Sequence, residues 1–191
     1  MSAKHEHGCT PGPMPCERAQ HLLNPLRALF LSPKGLAKRL DLKKDSEVLE
    51  LGPGPGYFSP EIARTIPEGK IVLVDIQQEM LEMARRRLEK RRIANAEYIR
   101  GDAASLLLPS ESFDVAFLVT VLGEIPDRGK CLHELHRVLR PHGLLSITEQ
   151  SLDPHFIPIP EVQTLVEKEG FRWEKTYGRR KNYTINFRSC D

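Results

Sequence analysis

The segment Val48-Leu49-Glu50-Leu51-Gly52-Pro53-Gly54-Pro55-Gly56-Tyr57 narrows the folds open to this chain more than any other stretch. A short apolar run ends at Gly52, glycines alternate with prolines, and a helix-length segment follows through Ile66. Strand, glycine turn and helix in that order put the turn where open α/β sheets bind nucleotides. Counting from Gly52, the last small position of the dinucleotide fingerprint G-x-G-x-x-G/A falls on Tyr57, so that fingerprint fails. No Gly-Lys-Ser/Thr follows, which excludes a P-loop. Pro53 and Pro55 also lack an N–H, whereas phosphate loops hold their anion with backbone donors. The loop suits a nucleoside ligand without phosphate.

The surrounding pattern alternates strand and helix. After Glu47–Leu51 comes Lys70–Asp75, whose Ile71, Val72, Leu73 and Val74 predict a strand buried on both faces. Residues 77–92 carry Met80, Met83, Ala84 and Leu88 at helical spacing. Ala96–Arg100 and Phe113–Val119 read as the third and fourth strands. Residues 127–140 read as a helix with Leu132, Leu135, Val138 and Leu139 on one side, stopped by Pro141 and Gly143. A fifth strand is predicted over 144–148 and a helix over 159–169, ended by Gly170. Residues 171–177 and 183–188 flank a turn-rich stretch and form a hairpin. Alternating βα units predict a doubly wound, mostly parallel α/β sheet with helices on both faces. The terminal hairpin adds one antiparallel strand and brings the sheet to seven.

Composition sets the outer bounds. At 191 residues, 40% hydrophobic and 28% charged, the chain reads as one soluble domain and not as a disordered, collagen-like or disulfide-built protein. A net charge of +2 is too mild to argue for nucleic acid. The apolar stretch 115–122 is far short of a membrane span, and residues 1–16 are too polar for a signal peptide. Pro11, Pro13 and Pro15 make 1–16 a flexible tail, 17–45 a helical cap divided by Pro25 and Pro33, and 46–191 the ligand-binding domain. Four scattered cysteines predict a reduced, cytoplasmic protein. His5, His7, Cys9 and Cys16 are metal-capable types, but without paired ligand spacing the expectation is no metal.

Two acids complete the picture. Asp75 ends the second strand, where a carboxylate can accept from ribose hydroxyls. Asp102, in Gly101-Asp102-Ala103 after the third strand, can accept from an exocyclic amine while the next N–H meets a ring nitrogen. Either acid alone is more simply a turn or cap residue. Together with the glycine loop they stand at the carboxyl ends of three successive strands.

These residues resemble the class I, Rossmann-like seven-stranded methyltransferases that use S-adenosylmethionine. Glu50-Leu51-Gly52-x-Gly54-x-Gly56 looks like the first motif of that family, Asp75 its ribose acid and Asp102-Ala103 its adenine contact. Phe113-Asp114-Val115 and the stretch 132–142, Leu-His-Glu-Leu-His-Arg-Val-Leu-Arg-Pro-His, are similar to the type-11 subgroup. His142 stands where that subgroup usually has glycine, which bears on a turn and not on the cofactor. The resemblance implies that Glu50 orients the cofactor's amino group and that Gly52, Pro53, Gly54 and Gly56 let backbone approach the methionine moiety. It implies that Asp75 holds the ribose, Ile76 packs on the adenine, Asp102 and Ala103 read its edge, and backbone at Val119 and Thr120 meets the methionine end.

The implied reaction is in-line methyl transfer to a small-molecule or lipid-like acceptor. No catalytic triad is expected; candidate bases by position are Glu124, His133, Glu149 and His155. Acceptor recognition falls to the first 45 or so residues and the proline-rich loop 151–160. Residues 1–46 carry eight Lys/Arg against four Asp/Glu, a basic cap on a slightly acidic remainder. Two readings compete. One is an RNA or protein methyltransferase using Arg85, Arg86, Arg87 and the Arg179-Arg180-Lys181 hairpin tip, with Tyr177 and Tyr183 as stacking platforms. The other is a non-catalytic cofactor-binding module. Nothing in the sequence decides between a monomer and a homodimer.

Overall fold

The computed structural model describes residues 31–190. The tail 1–16 and the first part of the cap therefore lie outside the described residues, with His5, His7, Cys9, Cys16 and Pro25. Chain order is α1 (Pro33–Ala37), β1 (Glu47–Leu51), α2 (Ser59–Thr65), β2 (Lys70–Asp75), α3 (Gln78–Glu89) and β3 (Ala96–Arg100). It continues with β4 (Phe113–Val119), α4 (Arg128–Val138), β5 (Leu139–Gln150), α5 (Ile159–Lys168), β6 (Phe171–Arg179) and β7 (Asn182–Ser189). The strands form one seven-stranded sheet in the order β3-β2-β1-β4-β5-β7-β6. All pairs are parallel except the two made by β7, which runs antiparallel between β5 and β6.

Period-two alternation divides the buried residues between the two faces of the sheet. Leu49, Val72, Leu118, Ile147 and Ile185 pack with Leu132, Leu135, Val162 and Val166 of α4 and α5. Val48, Ile71, Leu73, Phe117 and Leu144 pack with Leu36, Ile62, Leu81 and Ala84 of α1, α2 and α3. Helix starts are locally encoded: the Ser32 hydroxyl accepts from the Gly35 N–H (3.0 Å) and Asp127 Oδ1 from the Lys130 N–H (3.0 Å). Cys131 is buried in the first of these clusters, and burial pushes its thiol up to about 12. A thiol in that environment is inert and serves packing.

Two boundaries differ from the sequence reading. The fourth long helix ends at Val138, not Arg140, and Leu139 is already extended. Pro141 disfavours helical backbone at Arg140, and Leu139 pairs with Phe113 before the register shifts and Leu144 meets Val115. The fifth strand is thus twelve residues long, with an irregularity between its first residue and Leu144. His142 sits there at φ 60°, the left-handed geometry that glycine adopts more readily.

Candidate active site

The winding reverses between β1 and β4, the switch point at which open α/β sheets bind ligands. A cleft opens there at the carboxyl ends of β1 to β4. It encloses about 1080 Å³, open solvent at its mouth included, and its lining includes Glu50, Gly52, Gly54, Asp75, Asp102 and Val119.

The glycine loop forms the floor. Gly52, Gly54 and Gly56 take φ of 65°, 52° and 72°, alternating with prolines whose rings fix the opposite sign. The Gly52 N–H donates to the Val74 carbonyl (2.8 Å) and the Gly56 N–H to the Pro53 carbonyl (3.0 Å), so the turn is closed without a ligand. A Cβ on Gly52 would lie 2.5 Å from Val121 Cγ2. Gly56 does not line the cleft. Its missing side chain leaves room for α3, since a Cβ would sit 3.0 Å from the Cα and Cβ of Ala84. Of the three glycines, Gly52 and Gly54 face the ligand space and Gly56 seats a helix.

Glu50, on the penultimate position of β1, is 3% exposed. Burial pushes its carboxyl up to about 8; the nearby Ser59 hydroxyl draws it partly back, and repulsion from Asp75 adds to the rise. Its Oε2 has no hydrogen-bond partner among the described residues. A buried carboxylate oxygen without a donor calls for a cation or an N–H from a ligand. Asp75 accepts from the Gln77 N–H (2.9 Å), and burial raises its carboxyl above the usual range despite further backbone donors at Gly54 and Ile76. Ile76 is 50% exposed at the lip, an apolar surface suited to a flat base. Asp102 accepts from the Ala104 N–H (2.9 Å) in a tight turn that sets Ala103 against the cleft.

The backbone at the end of β4 makes two hydrogen bonds within the protein. The Thr120 N–H donates to the Thr148 carbonyl (2.8 Å), and the Val119 carbonyl accepts from the Thr120 hydroxyl (2.7 Å). Both residues line the cleft, yet these two groups are already paired within the protein. Thr120 holds φ 56°, a strained setting for a β-branched residue and one that recurs at functional sites.

The four candidate bases separate. Glu124 lines the cleft. His133 lies on α4 beside Glu169 (3.7 Å), on the helix flank. Glu149 is 1% exposed; burial and the nearby Asp153 push it up to about 8, although the Ile157 N–H donates to it. The His155 N–H donates to Asp153 Oδ1 (2.8 Å), and the His155 carbonyl presses on Gly123 so closely that a Cβ there would overlap it. Sequence reasoning missed Val121, Tyr57, Phe58, Met80 and Ile125, all of which line the cleft. Their apolar character marked them only as core.

Tyr183 is buried, and its hydroxyl donates to the Ile157 carbonyl (2.6 Å), so it offers no ring for base stacking. No Lys or Arg among the described residues lines the cleft. Among the described residues no His/Cys/Asp/Glu cluster could hold a metal, and no helix is long and apolar enough to cross a membrane.

A seven-stranded sheet with one reversed strand, carrying a glycine floor and acids at the ends of β1, β2 and β3, defines a class I methyltransferase of the S-adenosylmethionine-dependent kind. A family model described as a methyltransferase domain matches residues 42–181, and the chain belongs to that family. It is 35% identical over 112 residues to the ubiquinone/menaquinone biosynthesis C-methyltransferase UbiE of Escherichia coli, covering 58% of this chain and 45% of that protein. The chain thus spans about half the length of the curated relatives it matches. Among solved structures, an S-adenosylmethionine-dependent methyltransferase from Aquifex aeolicus superposes with a TM-score of 0.82 at 24% identity, covering 92% of this chain and 99% of the other. The [4+2]-cyclase SpnF superposes at 0.74 with 17% identity over 83% of this chain and 79% of its own. The fold by itself does not set the reaction.

Proposed function

We propose that this chain transfers a methyl group from S-adenosylmethionine to a small-molecule or lipid-like acceptor. The carrying observation is Glu50: a buried carboxylate with an oxygen lacking a partner, on the floor of the cleft that Asp75 and Asp102 also line. The residues fit the cofactor's three ends. Glu50 takes the ammonium of the methionine end, Asp75 the ribose, and Ile76, Asp102 and Ala103 the adenine. The bound cofactor supplies a methyl already activated on its sulfonium. The chain's task is alignment of the acceptor, which can lower a barrier by up to about 7–11 kcal/mol.

That no Lys or Arg among the described residues lines the cleft supports an uncharged reacting centre over a nucleic-acid backbone. The likeness to a quinone-biosynthesis C-methyltransferase supports a lipid-like acceptor. The apolar wall of Val121, Ile125 and Pro126 suits such a group. On this reading the cap 17–45 and the loop 151–160 select the acceptor, and the protein works in the cytoplasm as a monomer or homodimer.

Calorimetry with S-adenosylmethionine and S-adenosylhomocysteine tests the cofactor. Both should bind, and Asp75→Ala should weaken binding by about tenfold or more, the equivalent of losing charge-assisted hydrogen bonds. Folded protein that binds neither ligand overturns the proposal. RNA binding that falls steeply with salt would instead support the nucleic-acid reading.

A further inference from the structure

A row of side chains leads away from the cofactor cleft toward the far edge of the sheet. Val119 is paired with Thr148, Thr148 with Thr184, and Thr184 with Tyr177. Directly paired residues share a face, so the four cross β4, β5, β7 and β6 in line at the carboxyl edge of the parallel strands. Val119 belongs to the cleft. Thr148 and Thr184 are buried, and their hydroxyls lie 2.7 Å apart. Arg39 reaches this row from the segment after α1. Its Nη1 donates to Thr184 Oγ1 (2.7 Å), and its carbonyl accepts from Asn186 Nδ2 (2.7 Å). The guanidinium carbon lies 5.4 Å from the centre of the Tyr177 ring, and Lys175 Nζ lies 5.0 Å from the same centre.

Two cations therefore crowd one aromatic ring. Among the described residues no carboxylate pairs with Arg39 or Lys175. Arg39 is partly buried, and that burial lowers its pKa, while the Tyr177 ring is the group that counters the shift. Attraction to the ring offsets part of the cost of that burial, and an anion bound to the guanidinium supplies the missing counter-charge. The guanidinium fork fits two oxygens of a carboxylate or phosphate.

We propose that Arg39, with Lys175 and Tyr177, forms an acceptor subsite for an anionic oxygen group, two to three strand spacings or about 10–14 Å along the sheet from Val119. The subsite rests on the methyltransferase reading, and it specifies the acceptor further. The molecule methylated carries a carboxylate or phosphate at that distance from its reacting atom, while the reacting atom itself enters a cleft lined by no Lys or Arg among the described residues. Thr184 holds the guanidinium in place and Asn186 holds the backbone that carries it.

The test uses the full chain, labelled with ¹⁵N and saturated with S-adenosylhomocysteine, titrated separately with benzoate and with inorganic phosphate. Saturable shifts at the Arg39 side-chain N–H and at the amides of Lys175 and Thr184 are expected with at least one of the two. Tighter benzoate binding identifies a carboxylate acceptor, and tighter phosphate binding a phosphorylated one. Arg39→Gln should weaken the anion by about tenfold, and Arg39→Lys by less, because charge survives without the fork. Lys175→Gln, on an exposed side chain, should weaken it about threefold. It serves as the test if Arg39→Gln does not fold. No shift at Arg39 with either anion, or unchanged anion affinity in the folded variants, overturns the subsite. Failure of S-adenosylhomocysteine to bind overturns the methyltransferase reading instead, and the two outcomes are read separately.

Discussion

If Glu50 pairs with the cofactor's ammonium as proposed, binding should depend on pH in a way that can be worked out in advance. With a carboxyl pushed up to about 8, about nine-tenths of the ligand-free protein holds Glu50 neutral at pH 7. A ligand ammonium needs the carboxylate, so ionising Glu50 first subtracts about 1.4 kcal/mol from binding at pH 7. The bound form holds fewer protons than the free form, and affinity therefore rises with pH. For S-adenosylhomocysteine the rise should be about tenfold from pH 6 to 7 and about fivefold more from pH 7 to 8. Calorimetry at pH 7 in two buffers of different ionisation enthalpy should show release of about 0.9 proton per ligand bound. Glu50→Gln should remove both the slope and the proton release. 5′-Methylthioadenosine, which lacks the amino-acid end, should bind the native protein with little dependence on pH. Affinity for S-adenosylhomocysteine that stays flat from pH 6 to 8, with no proton released, would refute the pairing of Glu50 with the ammonium.

Three further outcomes concern stability. Glu149 has a folded pKa of about 8 against 4.5 for the free group, so its contribution is fully present below about pH 4.5 and is lost as pH rises toward 8. Glu149→Gln should flatten the fall in unfolding free energy between pH 5.5 and 7.5 by about 1 kcal/mol per pH unit, read by urea titration at each pH. Gly56→Ala puts a Cβ 3.0 Å from Ala84 at a φ of 72° and should destabilise by about 1–3 kcal/mol, lowering the melting temperature measured by calorimetry. Asn95 donates through Nδ2 to the carbonyls of Ala63, Ile66 and Gly69 at 3.0, 2.8 and 3.3 Å. Asn95→Ala leaves those acceptors without that donor and should cost about 1–3 kcal/mol in urea unfolding, with S-adenosylhomocysteine affinity nearly unchanged.

What could be read from the chain followed from periodicity and from turn chemistry. The run Ile71 to Val74 has no polar interruption because β2 is covered on both sides, and that burial is written into the segment itself. Glu50, Asp75 and Asp102 were placed because each ends, or nearly ends, a strand whose direction the βα alternation dictates. The misses have a different origin. Arg39 and Thr184 lie 145 positions apart, and no local pattern links them. Asn95 reads as a loop residue until its three acceptors, at the end of α2 and in the turn before β2, come within reach. Gly56 belongs to a cofactor motif by spacing, yet its close neighbour is Ala84 on α3, a tertiary fact. The end of α4 is not legible locally, because Pro141 restricts only Arg140 and it is the pairing of Leu139 with Phe113 that begins the strand one residue earlier.

The contact between Gly123 and the His155 carbonyl limits how this scaffold can be redesigned. The turn carrying Glu124 and Ile125 and the loop after β5 touch there without room for a methyl group. A graft that replaces either segment alone would meet the other's backbone, and randomising one while holding the other constant would mostly sample collisions. Libraries aimed at a new acceptor therefore have to vary 121–126 and 151–158 as a single exchangeable cassette, keeping glycine at 123 in every member.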